Sequence, residues 1–188
     1  MTGPDVPLNR KRFTVAQFEL LGRTGILRSD DRVELIEGEI LVISPASPAH
    51  LAQVNRLTHR LIPLVGTLAQ VSAQNPIVLS RSEPQPDIVL LRPRPDFYTS
   101  GLPQAADVLL LVEVSDTTAE VDRQVKVPLY GRSGIVESWL VDLKAKTIEV
   151  YREPTPMGYH LTQICGTGDR LSLGALPGLS LTADEILS

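Results

Sequence analysis

The stretch VLLLVEVS, residues 108–115, decides the fold. Five apolar residues run without interruption up to Val112, and Glu113 follows with Val114 behind it. A strand that is apolar on both faces fits the centre of a sheet with a layer packed on each side. A carboxylate inside such a strand is costly unless something compensates its charge. The stretch therefore predicts a central strand that contains a compensated acid.

Two further acids lie in apolar segments of the same kind. Asp87 follows Pro86 and opens the run DIVLL, and Glu34 lies within VELI, residues 33–36. At an effective dielectric constant of about 20, two carboxylates about 4 Å apart repel by roughly 4 kcal/mol. If the three acids meet, they must retain protons or share a cation, and a hard ion such as Mg²⁺ or Mn²⁺ suits oxygen ligands. Zinc is disfavoured because the chain has one cysteine, and its three histidines lack a compact ligand spacing.

A lysine follows these acids at helical spacing. Asp122, Lys126 and Tyr130 are four residues apart, so on a helix they share one face. A lysine beside a metal-bound water can orient the water, help to lower its pKa, or stabilise charge that develops on phosphorus. The combination of acids and lysine predicts hydrolysis of a phosphodiester.

Each of these residues also has a simpler interpretation. Asp87 could end a strand, Glu113 could be a buried acid held by an arginine, and Glu34 could belong to a surface ion pair. Lys126 could form an exposed pair with Asp122, which contributes only about 0.3–0.5 kcal/mol. Taken singly, none of them is diagnostic, so the functional hypothesis depends on their combination.

Length and composition fit one globular domain. The 188 residues are enough for a sizeable core, and the hydrophobic and charged fractions, 43% and 21%, are ordinary. No apolar run reaches the roughly 18 residues of a membrane helix, and the N-terminus lacks the apolar region of a secretory signal. Cys165, the single cysteine, cannot form an internal disulfide. We therefore expect a cytoplasmic protein with no membrane association.

The charge balance limits how the chain could bind nucleic acid, since the formal net charge is −4. Proteins that bind nucleic acid by backbone electrostatics alone are usually basic, so this charge argues against a nonspecific DNA coat. It does not argue against a nuclease, because local arginines and a bound metal can attract the phosphates.

The order of apolar and turn residues predicts a mixed α/β domain over residues 13–188, preceded by a flexible tail over 1–12. Residues 92–107 contain three prolines and form a long loop. The predicted helices cover 14–24, 48–65, 119–132 and a short segment from Thr182, and the predicted strands cover 32–36, 39–43, 68–73, 76–80, 86–91, 108–114, 137–142, 147–151, 159–164 and 171–173.

Several segments together resemble the Uma-type putative restriction endonuclease family, which is assigned to the PD-(D/E)XK nuclease superfamily. The resemblance covers about residues 13–185. It implies a restriction-endonuclease-like core, which is a mixed β-sheet flanked by helices, with additional antiparallel hairpins. The segments are VELIEGEI at 33–40 followed by Ser44, Pro45 and His50, PDIV at 86–89, EVS at 113–115, the Asp122, Lys126 and Tyr130 spacing, and ESWLVD at 137–142.

The resemblance also implies roles for the acids. Asp87 and Glu113 would be ligands of Mg²⁺ or Mn²⁺, Glu34 would be an additional acid, and the backbone carbonyl of Val114 a further ligand. The superfamily has a lysine two residues after the second acid, where this chain has Ser115. In the Uma-type family the lysine moves to the following helix. Lys126 would therefore replace it, with its side chain pointing at the two metal-binding carboxylates.

Two functional hypotheses follow. The first is a metal-dependent endonuclease that hydrolyses phosphodiester bonds of DNA, with Glu34, Asp87, Glu113 and Lys126 as catalytic residues. A homodimer is expected, because two strands must be cut with one site per chain. The second is a catalytically inactive nuclease-fold module for nucleic-acid binding or assembly. The net charge of −4 and Ser115 favour the second slightly, whereas retention of the acids and the lysine favours the first.

Overall fold

A six-stranded sheet forms the centre of the computed structural model, which describes residues 10–28 and 30–188. Strands β5 and β6 run parallel and all other neighbours in this sheet run antiparallel. In spatial order the strands are β3 (Gln70–Ala73), β4 (Ile88–Leu91), β5 (Val108–Ser115), β6 (Glu137–Asp142), β7 (Thr147–Thr155) and β8 (Gly158–Cys165).

Smaller antiparallel pairs and helices surround this sheet. β1 (Val33–Ile36) pairs with β2 (Glu39–Val42), and β9 (Arg170–Ser172) pairs with β10 (Ser180–Thr182). No helix in the described ranges is long and apolar enough to cross a membrane. The helical segments are α1 (Val15–Arg23), α2 (Pro48–Val65), a 3₁₀ turn (Ala105–Asp107), α3 (Ala119–Val121), a π-helical turn (Asp122–Lys126), α4 (Val127–Arg132) and α5 (Ala183–Leu187).

β5 lies inside the sheet, as its sequence predicts, and every residue of the strand is buried. Successive side chains of a strand point to opposite faces. Val112 and Val114 therefore pack in the core beneath α2, whereas Leu111 packs with Leu129 and Tyr130 of α4. Glu113 shares the α4 face with Leu111, so the strand itself aims the carboxylate at the helix that carries Lys126.

α4 comes unusually close to the sheet through a glycine. A Cβ added at Gly131 would lie 2.4 Å from the backbone of Gly158 in β8, so only glycine permits this approach. The close contact fixes α4 against the far edge of the sheet. The helix start, and with it Lys126, is then held over β5.

The first turn of α2 places a polar side chain beside Asp87. The Ser47 hydroxyl caps the helix by accepting the His50 N–H at 3.1 Å, and Pro48 occupies the first turn, where its missing N–H costs nothing. This capped turn lies beside the start of β4. It brings the His50 side chain to Asp87, the residue that precedes β4.

Most predicted elements are confirmed, including the mixed sheet flanked by helices. The predicted strand at 76–80 is wrong. Ile77 and Leu79 are buried as the alternation predicts, but their N–H groups bond to Pro84 and Ser82 within a turn, and Val78 contributes a single bridge to Gln104. The alternation of apolar residues thus predicted which side chains are buried, but it did not show that the segment lacks a neighbouring strand to pair with.

Two further segments differ from the prediction. The single helix at 119–132 is divided into α3, the π-helical turn and α4, and the β10 strand had no signal in the sequence. The predicted tail falls mostly outside the described residues. Within them, Arg12 is bound to the β1–β2 turn, donating to the Glu37 carbonyl at 2.5 Å and pairing with Glu39 at 3.2 Å.

Candidate active site

Glu113 is the most deeply buried acid of the site. The residue is 3% exposed, and its carboxylate accepts the Tyr130 hydroxyl at 2.5 Å. Burial raises the pKa of Glu113 to about 8, although the ammonium group of Lys126 lowers it. The attraction of Lys126 therefore does not offset the cost of burying the charge, and a further cation would favour the ionised form of Glu113.

Lys126 lies between two of the predicted acids. Its Nζ is 3.3 Å from Glu34 Oε1 and 3.4 Å from Glu113 Oε1, and its side chain is 14% exposed. Burial opposes ionisation, but Glu113 and Glu34 raise the pKa of the amine, so the ammonium form persists. The ion pairs of Lys126 run to Glu113 and Glu34 and not to Asp87, which differs from the orientation expected from the sequence.

Ser115 occupies the strand position where the superfamily pattern has a lysine, and it is fully buried. Its hydroxyl donates to the Asp122 carboxylate, which also accepts the Thr118 hydroxyl at 2.9 Å. Ser115 and Glu113 point to the same face of β5 because they are two residues apart. Position 115 therefore contributes a hydrogen bond to the following helix, and Lys126 supplies the positive charge.

Asp87 faces a different set of partners. Its Oδ2 accepts the backbone N–H of Val114 at 2.9 Å, and both carboxylate oxygens lie 3.0 Å from His50 Nε2. The hydrogen bond with Asp87 raises the pKa of His50, while burial opposes the shift. Asp87 therefore lies beside Glu113, because its carboxylate binds the backbone N–H of the next residue in β5.

Glu34 enters the site from the β1–β2 hairpin. Its Oε1 pairs with Lys126 and its Oε2 accepts the backbone N–H of Gln85 at 3.2 Å. The hairpin turn has positive φ angles at Glu37 and Gly38, 49° and 82°, as two-residue hairpin turns require. The hairpin therefore brings Glu34 to Lys126, whose ammonium group also contacts Glu113.

The donors around Asp87 and Glu113 match the chemistry of Mg²⁺. Both offer carboxylate oxygens, and the Val114 carbonyl faces the Asp87 side because the N–H and C=O of one strand residue point the same way. Among the described residues, no three or more His, Cys, Asp or Glu side chains are arranged to hold a metal ion. Mg²⁺ does not need such a group, because it keeps several waters and binds through one or two carboxylates.

Three residues belong to the site that sequence reasoning did not assign to it: His50, Tyr130 and Asp122. The four-residue spacing of Asp122, Lys126 and Tyr130 signalled a shared helix face, and Tyr130 indeed joins Lys126 on Glu113. His50 belongs to the segments that carry the family resemblance, but nothing in the sequence linked it to Asp87, because 37 residues separate the two. Only the folding of α2 over the sheet brings these two side chains together.

A family model described as Uma2, putative restriction endonuclease, matches residues 15–184. The chain belongs to this family. The match covers most of the molecule, and every residue of the candidate site lies within it.

A solved structure has the same fold. A putative nuclease belonging to DUF820 from Anabaena variabilis superimposes with a TM-score of 0.71 over 93% of this chain and 97% of that chain, at 17% sequence identity. At this identity the likeness shows the fold alone. No curated protein matches the chain at a significant level.

Proposed function

We propose that the chain is a metal-dependent endonuclease that hydrolyses phosphodiester bonds of DNA. The observation that carries the proposal is the position of Lys126, which contacts both Glu113 and Glu34 from a helix. A buried ion pair of this kind contributes little to stability on balance, because desolvation of the charges offsets their attraction. A buried ammonium group shared by two carboxylates, Glu113 and Glu34, is better explained by chemistry than by folding.

Asp87, Glu113 and the Val114 carbonyl would hold Mg²⁺ or Mn²⁺, with Glu34 as the additional acid. When bound, such an ion polarises the scissile phosphodiester and lowers the pKa of a coordinated water. Lys126 donates hydrogen bonds and carries a full charge, so it would hold the attacking water or stabilise charge on the phosphoryl oxygens. Tyr130 fixes the Glu113 carboxylate by its hydrogen bond.

Nicking of supercoiled plasmid DNA in Mg²⁺ or Mn²⁺ tests the proposal. We expect cleavage by the wild type, loss of cleavage in Asp87→Ala and Glu113→Gln, and a rate lower by about 10²–10³-fold in Lys126→Met, the loss typical of a removed transition-state donor. Glu137→Gln is the matched control. Its carboxylate is equally buried and bound by Arg152 at 2.7 Å, but it lies with Trp139 on the other face of the sheet.

Cleavage that survives Glu113→Gln, or that continues in EDTA, would contradict the proposed mechanism. Absence of cleavage together with no heat of Mn²⁺ binding in calorimetry would instead favour the inactive nuclease-fold module. Parallel assays on single-stranded RNA test the choice of DNA as substrate. Sedimentation velocity tests the proposed homodimer.

A further inference from the structure

The turn that carries Lys126 is not α-helical. The Val127 N–H bonds to the Asp122 carbonyl five residues back, so the segment Asp122–Lys126 contains one residue more than an α-helical turn. Pro128 follows, which has no N–H and would clash with the carbonyl four residues back in a regular helix. Single π-helical turns are rare and occur frequently at functional sites. This turn therefore needs a local cause that holds it in place.

Asp122 provides one attachment of the turn to the sheet. The residue is 6% exposed, and its carboxylate accepts the hydroxyl groups of Ser115 and Thr118. Ser115 ends β5, two residues beyond Glu113 on the same face. Asp122 and Lys126 thus reach two neighbouring points of one strand.

Arg123 provides the second attachment. Its guanidinium group bonds to Glu149 of β7, with Nε 3.1 Å from both carboxylate oxygens, and lies 3.7 Å from Asp142 of β6. Two adjacent residues of the turn are therefore bound to different strands. With both held, the backbone at Lys126 has little freedom to move away from β5.

The Asp122 carboxylate is buried at the start of the turn that carries Lys126. Within the described part of the chain Asp122 has no ion pair, and its carboxylate accepts only the hydroxyl groups of Ser115 and Thr118. A buried carboxylate without a cationic partner is costly, which suggests that its position serves the neighbouring site.

From these contacts we propose that Asp122 is a positioning residue: bound by Ser115 and Thr118 at the end of β5, it fixes the π-helical turn that delivers Lys126 to Glu113. The catalytic meaning of this placement rests on the proposed nuclease function. The positioning of Lys126 by Asp122 does not depend on that function, because the environment of the lysine side chain can be measured without an activity assay.

Cleavage kinetics test the coupling between the two residues. We expect Asp122→Asn to lower kcat by about 10–100-fold, the loss typical of residues that orient a site, with KM for DNA unchanged. In the Lys126→Met background the same change should cause no further loss, because Asp122 acts through the lysine. Losses that multiply in the double variant would show a role independent of Lys126 and overturn the proposal.

NMR of the lysine side chains gives a test that needs no activity. The Lys126 Nζ and Cε signals are assigned by their disappearance in Lys126→Met. We expect them to shift in Asp122→Asn and not in the control Glu137→Gln. Ser115→Ala removes the same attachment from the strand side and should reproduce the shift if Asp122→Asn does not fold.

Lys126 signals that stay in place in both Asp122→Asn and Ser115→Ala overturn the proposal whatever the activity. If the signals move but the wild type does not cleave any nucleic acid, the positioning role stands and the proposed function fails. The two inferences can therefore be separated.

Discussion

At the scale of single residues, the site depends on an imbalance of charge around Glu113. The carboxylate has one ammonium group at 3.4 Å, which it shares with Glu34, and one tyrosine hydroxyl. Burial removes most of the solvation that would stabilise the charge, and this outweighs the attraction of Lys126. The pKa of Glu113 therefore lies above that of an exposed glutamate, and a bound cation would lower it.

This shift predicts the pH dependence of stability. The folded-state pKa of about 8 lies above the ordinary value of 4.5, so between these values the folded state binds more protons than the unfolded state. The contribution of Glu113 to stability is therefore fully present below about 4.5 and is lost as the pH rises through about 8. In urea denaturation, the free energy of unfolding of the wild type should fall relative to that of Glu113→Gln over this range. A constant difference would contradict the raised pKa.

The residues of the site were partly predictable. Asp87, Glu113, Glu34 and Lys126 could be selected because acids in apolar strands are costly and a nearby lysine can offset them. Which of these residues pair with one another could not be predicted, because pairing depends on the backbone and side-chain groups that face each carboxylate. Asp87 pairs with His50 and a backbone N–H, which left Lys126 to the other two acids.

At the scale of elements, the β1–β2 hairpin decides whether Glu34 reaches the site. The Phe13 N–H bonds to the Gly38 carbonyl at 2.8 Å, and Leu35 exchanges backbone hydrogen bonds with Glu83. These contacts attach the hairpin to the segments before and after it. The turn at Gly38 is consequently a structural requirement of the site.

Gly38→Ala should therefore destabilise the protein. The residue has φ +82°, and an added Cβ would lie 2.8 Å from Arg12 Cβ and 2.9 Å from the Phe13 carbonyl. We expect a loss of more than about 1 kcal/mol in the free energy of unfolding. Gly22→Ala is the matched control, because it lies in α1 with nothing within 4 Å and should stabilise by up to about 1 kcal/mol. Equal effects in urea denaturation would contradict this account.

Elements were predicted well where periodicity and end signals agree. α2 has Ser47 and Pro48 at its start and an apolar stripe of helical period, and its bounds match the prediction at 48–65. The segment 119–132 has helical period but contains Pro128, and the sequence could not show that a π-helical turn would precede the proline. That outcome depends on where Asp122 and Arg123 find partners on the sheet.

At the scale of the whole molecule, the C-terminal segment closes the core beneath α2. Ile186 of α5 is fully buried with Val54 and Leu57, and its carbonyl accepts the buried side-chain amide of Gln53. The closure holds α2 on the sheet. Because α2 also presents His50 to Asp87, the last turn of the chain supports the site from a distance.

Ile186→Ala tests this closure. Removal of the buried side chain should lower the free energy of unfolding by about 2–5 kcal/mol, as usual for large-to-small changes in a core. Ile164→Ala is the matched control, because Ile164 of β8 is 67% exposed and the change should be nearly neutral. Chemical denaturation of the two variants gives the comparison. Similar losses in both would show that α5 does not close the core.

The sequence by itself determined the central strand, the main helices and the family, and it singled out the four charged residues proposed for the site. It did so because apolar periodicity and buried charge are local properties, visible in a single segment. Only the tertiary structure decided which acid faces Lys126, that His50 meets Asp87, and that a π-helical turn carries the lysine to β5. These outcomes depend on groups far apart in the chain, whose distances are set when helices and strands pack together.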